Sequence, residues 1–406
     1  MAWKWEYSLH CTDLPLEHTN DFIFTDERGQ RVAFIAGYIM RYGPIELKED
    51  VLQKNLCVRC GACVNLCPYI RCHEGIVTMI YPCDCTEGKC YAFCPRAEID
   101  FDALSLHLFG IPYSPQPLGH YLHVYKSRTA LQKGHFQSGG SVSSLVMNAL
   151  QEYTVDAVVL TGTQESLPVP RVVETPGDVL TCSGSKFTAT PTIAALNEAI
   201  HSGYQKIGVV ATPCQCQAVT QMREFFSRND MSDPITLVIG LFCMWAFDYQ
   251  SFHSYVEEGI DSDTIVKMNV PPPPQPVLEV ITESDTHEIP LDELRPFILP
   301  ACTTCFDLSA EFSDISVGLF EGDPQWNTLI TRTSQGDNCV QHAVTNGFLE
   351  ITPYPDSSLQ HLQSAALSKK RKGCTQLMTD GLINGHSRTS IRLDERTVSH
   401  ILEEEP

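Results

Sequence analysis

Beyond about residue 120 the apolar positions form short runs that alternate with stretches of helical period, the pattern of an α/β domain. Residues 156–160, 206–210 and 235–239 read as buried strands, and residues 314–318 as a further one. Between the first two, Ile193, Leu196 and Ile200 recur at helical spacing, with Pro191 near the start and Gly203 just past the end. Residues from about 357 to 370 also read as helix. The proline-rich stretch 270–276 suits neither a sheet interior nor a helix, so it is expected to be a stiff polyproline connection or a surface loop. Residues 1 to about 50 mix aromatic and charged residues without a clear period, and the acidic tail 403–406 is expected to be solvated.

Residues 57–95 follow neither period. Cysteines fall there among turn residues, with too little apolar sequence to build a core, so the segment needs metal to fold. The chain of 406 residues holds 18 cysteines, enough for disulfides, metal sites or redox cofactors. Its start, Met1 to Glu6, lacks a basic stretch followed by an apolar core, and no run of 18 apolar residues occurs. The expectation is a cytoplasmic protein without a membrane span, in which disulfides are the minor reading. A net charge of −21 repels a phosphate backbone, so nucleic acid is not expected as a partner.

Cys57, Cys60, Cys63 and Cys67-Pro68 have the spacing C-x2-C-x2-C-x3-C-P of bacterial ferredoxins. A cubane cluster takes one soft thiolate per iron, and the short spacings curl the backbone around it. A modified copy follows at Cys83, Cys85, Cys90 and Cys94-Pro95, with C-x-C-x4-C in place of the regular front half. In two-cluster ferredoxins the fourth cysteine of each motif ligates the other cluster. The expected ligand sets are therefore Cys57, Cys60, Cys63 and Cys94 for one cluster, and Cys83, Cys85, Cys90 and Cys67 for the other. Paired zinc sites are the competing reading of such spacings. Cys72, between the motifs, is read as a plain buried thiol.

Four more cysteines fall at or beyond strand ends or in a C-x2-C pair: Cys214, Cys243, Cys302 and Cys305. Singly, Cys214 and Cys243 also read as small buried hydrophobes, and the pair as a redox dithiol or half a zinc site. In chain order, the strings Gln137-Ser138-Gly139-Gly140-Ser141-Val142, Gly184-Ser185-Lys186-Phe187 and Ala211-Thr212-Pro213-Cys214-Gln215 resemble the motifs of the coenzyme F420 hydrogenase/dehydrogenase beta-subunit family. Gly240-Leu241-Phe242-Cys243, the segment 300–305, the segment 314–318 and an Arg332-Thr333 strand continue that order, so the resemblance covers about residues 55 to 335.

The resemblance implies FAD, a hydride exchanged with coenzyme F420, and a third [4Fe-4S] cluster on Cys214, Cys243, Cys302 and Cys305. Cys11, Cys72, Cys182, Cys216, Cys339 and Cys374 are left over. The implied architecture is an N-terminal two-[4Fe-4S] ferredoxin-like domain of α+β type, followed by an α/β flavin-binding domain carrying the third cluster. Its divisions are an extension at 1–50, the ferredoxin-like domain at 51–118, the flavin domain at 119–345 and a C-terminal extension at 346–406. Ser138, Gly139, Gly140 and Ser141 lead into an amphipathic helix whose first N–H groups suit a pyrophosphate. Ser185 and Lys186 are candidates for a flavin or phosphate oxygen, and Thr212-Pro213, at a strand end, for the isoalloxazine ring.

The function expected is that of an oxidoreductase subunit that passes electrons between coenzyme F420 and a partner redox subunit through FAD and clusters. Hydrogenase, formate dehydrogenase and heterodisulfide-reductase-like partners are all compatible. The alternative is an electron-relay subunit that uses ferredoxin or another carrier. Coenzyme F420 is anionic, and Lys186, Lys267, Arg295 and Arg332 are the candidate cations for its site. A third alternative keeps the clusters purely structural.

Overall fold

The computed structural model describes residues 22–25, 31–34, 42–131, 136–164, 166–271, 275–383, 391–393 and 395–403. The proline run at 272–274, Cys11 and the tail 404–406 lie outside them. At the centre is an eight-stranded sheet built from β1 (His123–Thr129), β2 (Ala157–Gln164), β3 (Leu167–Val173), β4 (Ile207–Ala211), β5 (Ile235–Leu241), β6 (Ile315–Leu319), β7 (Asn327–Thr331) and β8 (Leu349–Pro353). The order across the sheet is β8-β1-β7-β6-β5-β4-β2-β3. The four inner strands β2, β4, β5 and β6 run parallel, and the pairings on both flanks are antiparallel.

Alternation along the strands divides the core in two. On one face Val159, Val209 and Ala211 pack with Ile193 and Leu196 of helix α2 (Thr192–His201) and Met222 and Phe225 of α3 (Pro213–Arg228). On the other, Val158, Val210, Leu237 and Val317 pack with Leu145 and Val146 of α1 (Ser141–Gln151) and Val340 of α4 (Ser334–Thr345). Both faces are covered, which is why the inner strands read as unbroken apolar runs. A 24-residue helix, α5 (Asp356–Thr379), then crosses one end of the molecule, longer than the stretch 357–370 expected from sequence.

The cysteine-rich segment lies against the face of the sheet that carries α2 and α3. Phe93 meets the rings of Phe225 and Phe226 edge-on, with ring centres 5.3 and 6.1 Å apart. Arg332, expected in a strand, lies just past the end of β7, and Thr333 caps α4 by accepting from the Gly336 N–H. The boundary expected after residue 345 falls between α4 and β8, which pairs in the central sheet, and the one after residue 50 falls within the helical turn Lys48–Leu52.

Arg332 is 1% exposed and donates to Ser316 Oγ, to the Leu118 and His120 carbonyls, and to both the carbonyl and the hydroxyl of Ser309. Nearby, Lys370 Nζ sits 2.8 Å from Glu311, which also accepts from the Tyr113 hydroxyl at 3.0 Å. Replacing Arg332 with Met orphans these acceptors and removes a buried positive charge facing Glu311 and Asp307. A loss of about 3–5 kcal/mol in urea unfolding is the expected outcome.

Candidate functional site

The loop 57–67 is held by α2. Ile193 N–H donates to the Cys60 carbonyl at 3.0 Å, and Asn197 Nδ2 donates to the Ala62 and Val64 carbonyls at 3.0 and 2.7 Å. From the loop, Asn65 Nδ2 returns a bond to the Ala194 carbonyl. Gly61, at φ +84°, comes so close that a Cβ there would sit 2.7 Å from the Pro191 carbonyl oxygen. Arg59 forms an ion pair with Asp248, which ties the loop to the start of the helix Tyr249–Glu257.

Cys57, Cys60, Cys63 and Cys94 line one cavity whose remaining wall is largely apolar, including Leu47, Val51, Val58 and Val77. Burial first, then the thiolate of Cys94, pushes Cys60 well above its ordinary value, and burial with Cys57 does the same to Cys63. Cys94 is pushed up to about 12, again by burial first. Burial and then the charge of Cys67 push Cys90 to about 12, with Cys83 adding to the effect. The sulfurs of Cys83 and Cys85 and a carboxylate oxygen of Asp84 lie within 4.8 Å of one another, so Asp84 is an additional oxygen donor at this group.

Four further cysteines converge from two strand ends of the parallel sheet and one separate turn. Cys214 stands in the first turn of α3, directly after β4; Cys243 follows β5; Cys302 and Cys305 sit at the 3-10 turn Pro300–Thr304. Burial and the Cys305 charge push Cys214 up to about 11. Burial also raises Cys243, where Cys302, Cys214 and Cys305 add to the effect and Lys369 opposes it. Burial alone would lower Lys369, but the charges of Cys305, Cys243, Asp307 and Cys302 hold its ammonium above the ordinary lysine value.

These groups form a succession. Cys63 senses Cys90, and Cys60 senses Cys214, so the Cys57 group lies between the other two electrostatically. Arg96 is buried, donates to the Ala301 carbonyl at 3.3 Å, and its charge reaches Cys57 and Cys94 on one side and Cys214 and Cys302 on the other. Thiols this crowded need cations to become thiolates, and iron bound one per sulfur fits such a donor set. The described cysteines form no disulfide. Cys72 is half-buried on a hairpin strand, while Cys216 and Cys374 are buried among apolar side chains.

Gln137, Ser138 and Gly139 line a cleft of about 410 Å³ together with Arg128, Thr129, Phe136, Lys267, Pro324 and Gln325. Gly140 caps α1 at φ +75°. The first N–H of that helix is not open, because Ser141 N donates to Asn327 Oδ1 at 3.1 Å. The same Asn327 donates to Ser138 Oγ at 2.6 Å, and Gly139 packs directly on it. Asn327 therefore organises the loop, a role sequence reading missed because its partners lie 186 and 189 positions away.

Ser185 acts on the same loop from outside, and Lys186 on its own turn. Ser185 N–H donates to Gln137 Oε1 at 3.1 Å, and Lys186 Nζ is used by the carbonyls of Cys182, Ser183 and Gly184. Thr212 and Pro213 open α3, with Thr212 N–H donating to Gln215 Oε1 at 2.9 Å and Thr212 Oγ1 lying 3.5 Å from Cys214 Sγ.

The four candidate cations do not gather. Lys267 alone lines the cleft, where it donates to the Gln137 carbonyl at 2.9 Å. Arg295 is exposed and pairs with Asp292, and Arg332 is consumed inside the protein, which corrects its candidacy as a ligand cation. Arg128, not anticipated, supplies a second cation to the cleft; it lies 4.5 Å over the Trp326 ring and pairs with Glu350.

Both halves of one family match the chain. The N-terminal part of the coenzyme F420 hydrogenase/dehydrogenase beta subunit matches residues 124–197, and its C-terminal part matches residues 204–357. The chain is 30% identical over 266 residues to the beta subunit of the coenzyme F420 hydrogenase of Methanothermobacter thermautotrophicus, covering 63% of this chain and 93% of that protein. It is 26% identical over 356 residues to one of the subunits that make up the F(420)H(2) dehydrogenase of Methanosarcina mazei, covering 80% and 92%. A chain in the solved F420-reducing [NiFe] hydrogenase complex of Methanosarcina barkeri superposes with a TM-score of 0.59 at 28% identity, covering 68% of this chain and 97% of that one.

The seat of loop 57–67 is testable through Asn197. Its replacement by Asp turns a donor into an acceptor that faces two carbonyls, an expected cost of about 1–3 kcal/mol or more. Limited proteolysis is expected to cut the segment 57–95 faster in this variant than in the native protein.

Proposed function

The chain belongs to the coenzyme F420 hydrogenase/dehydrogenase beta-subunit family, whose relatives are oxidoreductase subunits, and from that membership we propose that it is an iron–sulfur flavoprotein subunit that exchanges electrons between coenzyme F420 and a partner redox subunit. One observation carries the reading: three groups of cysteines stand in electrostatic succession, from the Cys90 group through the Cys57 group to the Cys214 group. Structural zinc has no use for such adjacency, whereas electron hopping requires it.

In this reading Cys57, Cys60, Cys63 and Cys94 hold one [4Fe-4S] cluster, and Cys67, Cys83, Cys85 and Cys90 a second. Cys214, Cys243, Cys302 and Cys305 hold the third, at the carboxyl ends of parallel strands where α/β sheets receive ligands. FAD supplies the exchange between a two-electron hydride carrier and one-electron clusters. The loop Ser138, Gly139, Gly140 and Ser141, fixed by Asn327, forms one wall for it, and Arg128 and Lys267 face the cleft with charge suited to phosphate. Ser185 positions that loop through Gln137, and Lys186 fixes the turn 182–184 that carries Ser185. Thr212 and Pro213 bear the ring's side of the site, next to Cys214.

The loop also connects toward the third group through packed residues. Phe187 follows Ser185 and Lys186, its ring centre lies 6.3 Å from that of Trp245, and Cys243 Sγ contacts the Trp245 carbonyl at 3.6 Å. The chain carries no recognisable nickel, molybdopterin or sirohaem motif, so a second redox subunit completes the reaction. The hydrogenase assembly of the similar solved chain is one pattern for such a partner. Among the described residues no helix is long and apolar enough to cross a membrane.

Two measurements test this. Anaerobically prepared protein is expected to contain about twelve irons and as many acid-labile sulfides per chain, falling by about four of each in Cys243→Ala. Zinc without sulfide removes the reading altogether. Reduced coenzyme F420 is expected to bleach the flavin absorbance; if only ferredoxin does so, the chain is a relay subunit and coenzyme F420 is not its substrate.

A further inference from the structure

Helix α5 begins at Asp356, just as the family match runs out at residue 357, yet it forms part of the wall around the third cysteine group. Gly373 makes this possible. A Cβ at that position would lie 2.7 Å from Phe306 Cβ and 2.8 Å from the carbonyl carbon and oxygen of Cys305, so the helix backbone rests directly on the ligand turn.

One turn earlier, Lys369 is 6% exposed and its Nζ donates to the Cys243 carbonyl. A run of basic residues such as 369–372 is ordinarily a solvated face, and a buried ammonium is costly unless negative charge lies close. Among the described residues Lys369 forms no ion pair with a carboxylate; the negative groups that act on it are Cys305, Cys243, Asp307 and Cys302, three of them cysteines of this group. Its neighbour Lys370 points elsewhere and is neutralised by Glu311. Arg96 approaches the same cysteine group by another route, from the side of the Cys57 group, through the Ala301 carbonyl.

We propose that Lys369 is the fixed positive charge that sets the reduction potential of the third cluster, with α5 as the rigid carrier that delivers it. This rests on the reading that Cys214, Cys243, Cys302 and Cys305 hold a cluster. Reduction adds an electron to a cluster that is already anionic once its four thiolates are counted, so a buried cation held on the backbone carbonyl of one ligand favours the reduced form and raises the potential. The charge is thereby matched to one cluster out of three, because Lys369 faces none of the cysteines of the other two groups.

The test compares anaerobic native protein with Lys369→Gln, which keeps a donor for the Cys243 carbonyl but removes the charge, and Lys369→Arg, which keeps the charge. Iron and sulfide are counted in each, and potentials are read from an EPR-monitored redox titration. The expected result is three clusters in all proteins, with one midpoint moved to more negative potential in Lys369→Gln, restored toward native in Lys369→Arg, and the other two unmoved. Loss of the third cluster in the Gln variant but not in the Arg variant likewise supports a required charge. Full cluster content with unmoved potentials in Lys369→Gln overturns the proposal, as does loss of the cluster in both variants, which assigns Lys369 to packing. Iron for only two clusters in the native protein is a separate result: it removes the third cluster itself.

Discussion

Sulfur crowded against sulfur in a dry interior is the constraint from which most of this architecture follows. Each buried thiol resists ionisation, and each neighbour that does ionise makes the next harder, as at Cys60 and Cys63. Such a site persists only where positive charge and backbone donors compensate. Some compensation comes from the protein: the Arg59 N–H lies 3.4 Å from Cys57 Sγ, Arg96 stands between two cysteine groups, and Lys369 reaches in from α5. In the proposed reading the remainder falls to iron.

The parallel half of the sheet and the ferredoxin-like segment depend on one another through α2. That helix packs its apolar face on β2 and β4, while Asn197 and the N–H of Ile193 grip loop 57–67 from its side and first turn. A single element thus sets the spacing between cysteines that come from two unlike parts of the chain. The cysteines at the strand ends inherit that spacing, since Cys214 belongs to α3, which packs beside α2.

How much of this was legible depends on the range of the interactions. The strand β4 and helix α2 were readable because their signals are local: an unbroken apolar run, a proline before and a glycine after. The ferredoxin motif was equally local. The antiparallel flank was not, since β1 carries His123, Lys126 and Arg128 among its residues and acquires its place only by pairing with β7 and β8. Asn327 and Lys369 carry no local signal in the sequence that sets them apart. Each owes its role to partners more than a hundred positions away. Arg332 was read as a ligand cation for the opposite reason: sequence gives its charge but not the five acceptors that enclose it.

Ile391–Arg392 runs parallel to Ile99–Asp100, and Arg392 forms an ion pair with Glu98 at a sequence separation of 294. The segment that follows the second cysteine motif therefore waits, during translation, for nearly the whole remainder of the polypeptide before its last neighbour exists. Until then the edge at Ile99–Asp100 lacks that partner, and the nascent cysteine-rich portion stays open on that side.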